Sequence, residues 1–107
     1  MGDAQLSGIN FEKLGSENYF SWKFSMSMFL KGKDLWGIVD GSETQPEESD
    51  ADGRSKFKKR ANLALVKICL GVKTNLQIYV RNCKTAKEAW DSLAGRFEKK
   101  TLAKKIH

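Results

Sequence analysis

The stretch that decides the fold is residues 18–41, NYFSWKFSMSMFLKGKDLWGIVDG. Five of its apolar residues recur at positions i, i+3, i+7, i+10 and i+11, which places them on one face of an α-helix. A second apolar row at i, i+4 and i+8 widens that surface. We therefore expect a central helix that neighbouring elements cover from more than one side. The first row consists of Tyr19, Trp22, Met26, Phe29 and Leu30, and the second row of Phe20, Phe24 and Met28.

Both ends of this helix have suitable capping residues. Either Ser16 or Asn18 can cap the N-terminus, because the side-chain oxygen of each can accept an orphan backbone N–H. Gly32 is placed to end the helix in the left-handed conformation. A short turn at residues 34–36 then brings the indole of Trp36 back towards the core.

A second long helix is predicted over residues 54–72, because six apolar residues fall on one face. An acidic loop over residues 40–53, which contains the only proline, separates it from the first long helix. The first turns of this helix carry a basic block, which opposes the helix macrodipole, so local stability does not explain it. Either the acidic loop neutralises this block or an external polyanion binds it. The block consists of Lys56, Lys58, Lys59 and Arg60.

The last clear helix begins at a capping box. Thr85 and Glu88 have the spacing at which each side chain satisfies the other residue's backbone N–H. Gly95 lies inside the apolar pattern that follows and costs about 1 kcal/mol relative to alanine, so we expect a neighbouring helix to approach closely there. Residues 76–80 are predicted as a short helix; a strand is the alternative, but the sequence offers no convincing partner strand.

These patterns predict an all-α, small single-domain bundle of about four to five helices, since 107 residues suffice for one small core. Residues 1–10 lack periodicity and are expected to form a flexible lead-in. Residues 11–100 form the helical domain, in which Phe11 and Leu14 pin the chain onto the first helix. Residues 101–107 are expected to be the start of a truncated next helix.

Charge is distributed unevenly along the chain. Residues 1–53 carry four Lys against ten Asp and Glu, whereas residues 54–107 carry fifteen Lys and Arg against three Asp and Glu. A dipolar chain of this kind can bind a polyanion at one end or pack head-to-tail with copies of itself. The third interpretation is that the lysines only solvate helix faces.

No residue pattern supports catalysis, a cofactor or a metal centre. The sequence has no Gly-rich phosphate loop, no nucleophile elbow and no paired carboxylates in an apolar setting. Cys69 and Cys83 lack metal-ligand spacing, and the sole histidine is His107. We therefore expect a protein that is not an enzyme and binds no small-molecule substrate. No apolar run approaches the roughly 18 residues of a membrane span, and two cysteines are too few for a disulfide scaffold, so we expect an intracellular protein.

Two blocks of residues resemble the Gag polyprotein of Ty1/copia-type LTR retrotransposons. They occur in the order and at the separation found in that family, and the likeness covers nearly all of residues 9–107. The first block comprises FEKLG at 11–15, NY at 18–19, Trp22, Met26, LW at 35–36 and VDG at 39–41. The second block comprises TAKEAWDSL at 85–93, Phe97 and KK at 99–100.

The resemblance implies a structural protein, similar to the N-terminal capsid lobe of such a Gag. It implies a helical bundle that self-associates and builds capsid-like particles around RNA in the cytoplasm. A host gene descended from such a Gag would carry the same two blocks. The core residues of the resemblance are Tyr19, Trp22, Met26, Trp36, Trp90, Leu93 and Phe97.

Two functions therefore remain open, a capsid lobe and a basic helical nucleic-acid-binding module. A dedicated binder that neutralises several phosphates loses affinity steeply with salt yet still binds at about 150 mM. Single-strand recognition also needs exposed aromatic side chains, whereas here they are committed to apolar rows. We favour the capsid lobe. The predicted contacts with neighbouring copies or, weakly, with RNA are Lys56, Lys58, Lys59, Arg60, Lys99, Lys100, Lys104 and Lys105.

Overall fold

A computed structural model of the chain describes the backbone of residues 11–106 and the side chains of residues 11–98. Over these residues the fold is helical, and its only β-type pairing is one isolated bridge. The predicted all-α bundle is confirmed, whereas the predicted lead-in at residues 1–10 lies outside the described residues. The elements are α1 (Tyr19–Gly32), α2 (Trp36–Asp40), α3 (Ala51–Leu70), a 3-10 helix (Thr74–Tyr79) and α4 (Ala86–Ile106).

Helix α1 buries one of its two apolar rows and exposes the other. All five residues of the first row are buried, as predicted. The second row lies on the opposite side of the helix, where Phe24 is 67% exposed and Met28 is 49% exposed. The prediction that neighbours cover this helix from more than one side is therefore wrong. A bundle of this size has a single core, and it can face only one side of α1.

The N-terminus of α1 is capped in an unexpected way. Asn18 occupies the cap position but makes no side-chain hydrogen bond to the helix. Its Oδ1 instead accepts a hydrogen bond from the backbone N–H of Gly15 at 2.7 Å. Its amide donates to the carbonyl of Lys13 at 3.0 Å. Asn18 therefore stabilises the turn that leads into α1 rather than the helix end itself.

The left-handed residue that terminates α1 lies two positions after the predicted Gly32. Gly32 is helical, and the left-handed residue is Asp34, with φ 60°. The backbone N–H of Leu35 donates to the carbonyl of Leu30, and that of Asp34 donates to the carbonyl of Lys31. This is the Schellman pattern, which also brings the residue after the left-handed one back against the helix. Leu35 and Leu30 are accordingly both buried.

Helix α3 begins at Ala51, three residues before the predicted start at residue 54. The apolar pattern did not reveal its N-cap residue, Asp50. Asp50 accepts a hydrogen bond from the backbone N–H of Gly53 at 2.9 Å, which is the usual action of an N-cap aspartate. The acidic loop is therefore shorter than predicted and spans residues 41–50. Residues 74–79 form the predicted short helix, although it is of the 3-10 type.

Helix α4 starts at the predicted capping residues. The backbone N–H of Glu88 donates to Thr85 Oγ1 at 3.1 Å, but Glu88 reaches back to the backbone N–H of Lys84 rather than to that of Thr85. The helix then continues to Ile106 without a break, so residues 101–106 belong to α4 instead of opening a separate helix. Gly95 is exposed and has open space where a Cβ would be, so the expected close approach of another helix is wrong.

Candidate interaction surfaces

The rigid centre of the domain is a run of stacked aromatic rings shared by α1, α2 and α4. Trp90 of α4 stacks on Trp22 at a ring-centroid distance of 5.6 Å. Trp90 also makes an edge-to-face contact with Trp36, at a centroid distance of 5.2 Å. One turn further along, Tyr19 stacks on Phe97 at 5.8 Å. Such pairs add stability beyond the apolar area they bury. The structure thus brings together the aromatic residues of the two sequence blocks, which lie about 70 positions apart in the chain.

Trp22 also fixes the segment that precedes α1. Its Nε1 donates to the carbonyl oxygen of Gly71 at 2.9 Å. The same oxygen accepts the backbone N–H of Leu14 at 2.8 Å. The carbonyl of Leu14 in turn accepts the N–H of Lys73, which completes the bridge between Leu14 and Val72. The segment at 11–14 is therefore attached mainly to the end of α3, in addition to the predicted packing of Phe11 on α1.

A polar cluster closes the far end of the aromatic run. The hydroxyl of Tyr19 donates to Glu98 Oε2 at 2.8 Å, and Lys23 Nζ lies 3.2 Å from the same oxygen. Burial, with the hydrogen bond to Glu98 as the second cause, raises the pKa of Tyr19 well above its ordinary value. The cluster therefore joins the start of α1 to α4.

The basic block of α3 divides into one paired residue and three exposed ones. Arg60 Nη1 and Nη2 donate to the two carboxylate oxygens of Glu43 at 2.6 and 2.8 Å, and Nη2 also donates to the carbonyl of Asp34. The hydrogen bonding of Arg60 to the Glu43 carboxylate holds the pKa of Glu43 below its ordinary value. For Arg60 the acidic loop is therefore the partner, which was the first of the two predicted alternatives.

The other three residues of the block, Lys56, Lys58 and Lys59, are exposed. Within the described part of the chain they form no ion pair. Lys99, Lys100, Lys104 and Lys105 have side chains outside the described residues, so their predicted contacts remain predictions.

Two outward-facing apolar surfaces are the main feature that the sequence interpretation missed. We define the α1 apolar face as Phe20, Phe24 and Met28, and the α3 apolar face as Leu63, Val66 and Leu70. The α3 side chains are between 42% and 62% exposed. On each helix these positions lie opposite the buried side, where a residue every three or four positions forms a continuous stripe. Their spacing was visible in the sequence, but spacing does not show which of two apolar rows is buried.

A shallow open groove of about 280 Å³ separates α2, α3 and the start of α4. Phe57 of α3 is half-buried and lines this groove together with Ile38 and Ala86. Lys84 and Lys87 stand at its rim, and Lys87 is paired with Asp91 at 2.7 Å.

The described residues offer no constellation for metal or nucleophilic chemistry. They include no group of three His, Cys, Asp or Glu side chains that could hold a metal ion. Cys69 and Cys83 are free thiols that form no disulfide with each other. Burial raises the pKa of both, which reduces the thiolate fraction at neutral pH. None of the helices in this part of the chain combines the length and the apolar character needed to cross a bilayer.

A small helical bundle with an aromatic core and exposed apolar and basic surfaces is typical of a domain that acts through protein or polymer contacts. Comparison with protein families specifies the class further: residues 26–107 match the gag polypeptide of LTR copia-type elements. The match covers most of the chain, so this protein belongs to the copia-type Gag family, as the sequence blocks indicated. Neither the curated proteins nor the solved structures gave a match.

The family assigns a Gag capsid-type, structural role to the chain in general terms. The core residues predicted from the resemblance pack together in the described structure. Of the seven that the resemblance singled out, six are buried and Trp36 is half-buried against Trp90. A role for the lysines of α3 in contacts with other molecules remains a prediction.

Proposed function

We propose that this domain is a capsid lobe that associates weakly with copies of itself and, within its polyprotein, builds particles that enclose RNA. The observation that carries the proposal is the amount of large apolar surface left outside a core that is already filled. Seven large apolar side chains are more than 40% exposed on a described region whose buried aromatic residues stack closely. Six of them form the stripes on α1 and α3, and exposed apolar side chains grouped in this way mark interaction sites on soluble domains.

Weak individual contacts suit this function. A particle repeats each contact over many copies, so its total stability comes from multivalency rather than from one strong interface. Weak contacts also separate readily, which allows misplaced subunits to leave before the particle closes. We therefore expect the 107-residue chain to be mainly monomeric at micromolar concentration and to associate as its concentration rises.

The direct test is electron microscopy of the polyprotein proposed to contain this domain, with and without RNA. Particles are the expected result, together with concentration-dependent sedimentation of the shorter chain. A long protein that remains monomeric under every assembly condition would contradict the proposal.

RNA contact is the second candidate function, favoured by the side chains of Lys56, Lys58 and Lys59, which are exposed and form no ion pair with the described residues. Phe24 lies on an apolar row, as predicted, but it is 67% exposed and is therefore available to stack on a base. The salt dependence of binding to a single-stranded RNA separates the functions. A dedicated binder retains measurable affinity at about 150 mM salt, and each phosphate contact adds to the steepness of its salt dependence.

Charge reversal at Lys99 and Lys100 tests the electrostatic part of particle formation. We expect the reversed protein to fold normally, because lysines outside a protein's core contribute little to stability. Particle yield should fall, whether these residues contact a neighbouring subunit or packaged RNA. Normal particle formation by the reversed protein would refute this role.

A further inference from the structure

The α1 and α3 apolar faces cannot be covered by the core of their own chain. On each helix the exposed stripe lies on the side opposite the buried residues, so it points away from the bundle. Phe20 makes an edge contact with Tyr19 at 5.2 Å, so the argument for α1 rests on Phe24 and Met28. Within the described residues both faces remain exposed, so another molecule can cover them.

We infer that the α1 apolar face of one copy packs on the α3 apolar face of a neighbouring copy, with the two helices parallel. This inference rests on the proposed function and names the surfaces that would carry it. Residues 24–28 of α1 span about 6 Å, and residues 63–70 of α3 span about 10 Å, at 1.5 Å per residue. The α1 stripe therefore fits within the length of the α3 stripe.

Charges at the ends of the stripes select the occupant and its direction. On α3, Lys56 and Lys59 precede the apolar face on the same side of the helix. On α1, the exposed Glu17 lies in the turn just before the helix, and the exposed Lys31 follows the apolar face. Parallel packing places Glu17 beside these lysines, whereas antiparallel packing would place Lys31 there.

The opposite end of the contact is electrostatically mixed. In the parallel arrangement Lys31 of one copy approaches the C-terminal end of α3 in its neighbour, where the negative pole of the helix dipole attracts a cation. Lys67 in the last turn and Lys73 just beyond it already lie at that end, so the pairing of Glu17 with Lys56 and Lys59 carries the direction of packing.

The contact is heterologous, because it joins different surfaces of the two copies. Each subunit then offers one α1 face and one α3 face, and the contact repeats from copy to copy as a ring or a lattice. A symmetric contact between two α1 faces would close a dimer and leave both α3 faces uncovered. The heterologous arrangement uses both apolar faces of every subunit.

Disulfide trapping distinguishes these arrangements. Two proteins are prepared in which Cys69 and Cys83 are replaced by alanine, one carrying Phe24→Cys and the other Val66→Cys. When the two are mixed under mild oxidation, we expect the mixed dimer to form about tenfold faster than either self-dimer, because only neighbouring surfaces place two thiols within bonding distance. Self-dimers that form as fast as the mixed dimer, or the absence of any dimer at high protein concentration, would overturn the inference.

A charge swap tests the direction of packing. Glu17→Lys and Lys59→Glu should each weaken self-association severalfold in sedimentation equilibrium. The double variant restores opposite charges between copies, so it should associate about as well as the original chain. Losses that simply add in the double variant would refute the parallel arrangement.

Apolar-to-aspartate substitutions separate a failure of this inference from a failure of the proposed function. Phe24→Asp and Leu63→Asp should each raise the dissociation constant of self-association by about tenfold or more, with unchanged circular dichroism. Ile78→Asp is the matched control, since Ile78 is 57% exposed but lies on the 3-10 helix outside both faces. If the chain associates and all three variants behave alike, the assignment of these faces is wrong while self-association stands. If neither this chain nor the polyprotein associates, the proposed function itself fails.

Discussion

Trp22→Ala should remove most of the stability of this domain. Trp22 is 2% exposed, lies at a ring-centroid distance of 5.6 Å from Trp90 and donates to the carbonyl of Gly71 at 2.9 Å. Replacing a buried tryptophan by alanine costs about 3–5 kcal/mol through lost burial and the remaining cavity. A domain of this length has a free energy of unfolding of roughly 5–15 kcal/mol, so the substitution takes a large fraction of it or prevents folding.

Trp22→Phe separates the contribution of the aromatic ring from that of the indole N–H. It also gives a measurable free energy of unfolding if the alanine variant does not fold. Phenylalanine retains an aromatic ring beside Trp90 but loses the indole N–H. The carbonyl of Gly71 keeps the hydrogen bond from Leu14, so it is not left without a donor. We therefore expect a loss of about 1–2 kcal/mol, from one net hydrogen bond and the smaller ring.

The measurement is urea unfolding followed by circular dichroism, with the free energy of unfolding taken by linear extrapolation. Phe24→Ala is the matched control, because Phe24 is an aromatic residue on the same helix but is 67% exposed. Its free energy of unfolding should change by no more than about 0.5 kcal/mol. If Trp22→Ala lost less than about 1 kcal/mol, or if Phe24→Ala lost as much as Trp22→Ala, the assignment of the buried face of α1 would be wrong.

Three further predictions concern single positions. Gly95→Ala should raise the free energy of unfolding by up to about 1 kcal/mol in the same assay, because the added methyl group meets open space in an exposed helix; a loss of stability would contradict this. The lowered pKa of Glu43 means that its pairing with Arg60 stabilises the fold above its ordinary pKa of about 4.3 and is lost as pH falls through the folded value. Glu43→Gln should therefore flatten the fall in melting temperature at acidic pH, and an unchanged acid profile would refute the pairing. The raised pKa of Tyr19 stabilises the fold below about pH 10, and this contribution is lost at higher pH, so Tyr19→Phe should reduce the alkaline loss of stability; an identical alkaline profile would argue against the raised pKa that burial and the hydrogen bond to Glu98 cause.

The positions of single side chains show where local pattern was sufficient. The burial of Trp22 and Met26 on α1 and of Leu93 on α4 followed from helical periodicity, because a stripe of apolar residues must face the core. The start of α4 followed from Thr85, since capping depends on residues within one helical turn. Helical class, the buried stripes and family membership were thus readable from the sequence.

The candidate surfaces depended on the tertiary structure. Helical spacing identified the second apolar row of α1 but could not show that Phe24 is exposed, because that depends on how many neighbours the bundle places around the helix. Sequence spacing likewise left open whether a loop carboxylate or an external polyanion pairs with the basic block, and only the folded loop brings Glu43 to Arg60.

The limits of the sequence follow from the range of the forces involved. Periodicity and capping act within a few residues, so the sequence by itself determined which segments become helices and which stripe of each is apolar. Burial and ion pairing are settled between segments: Tyr19 and Glu98 meet across 79 positions, and Asp34 adopts its left-handed conformation where Leu35 enters the core. Only the packing of the helices on one another decided which apolar surfaces were buried inside the domain and which remained exposed.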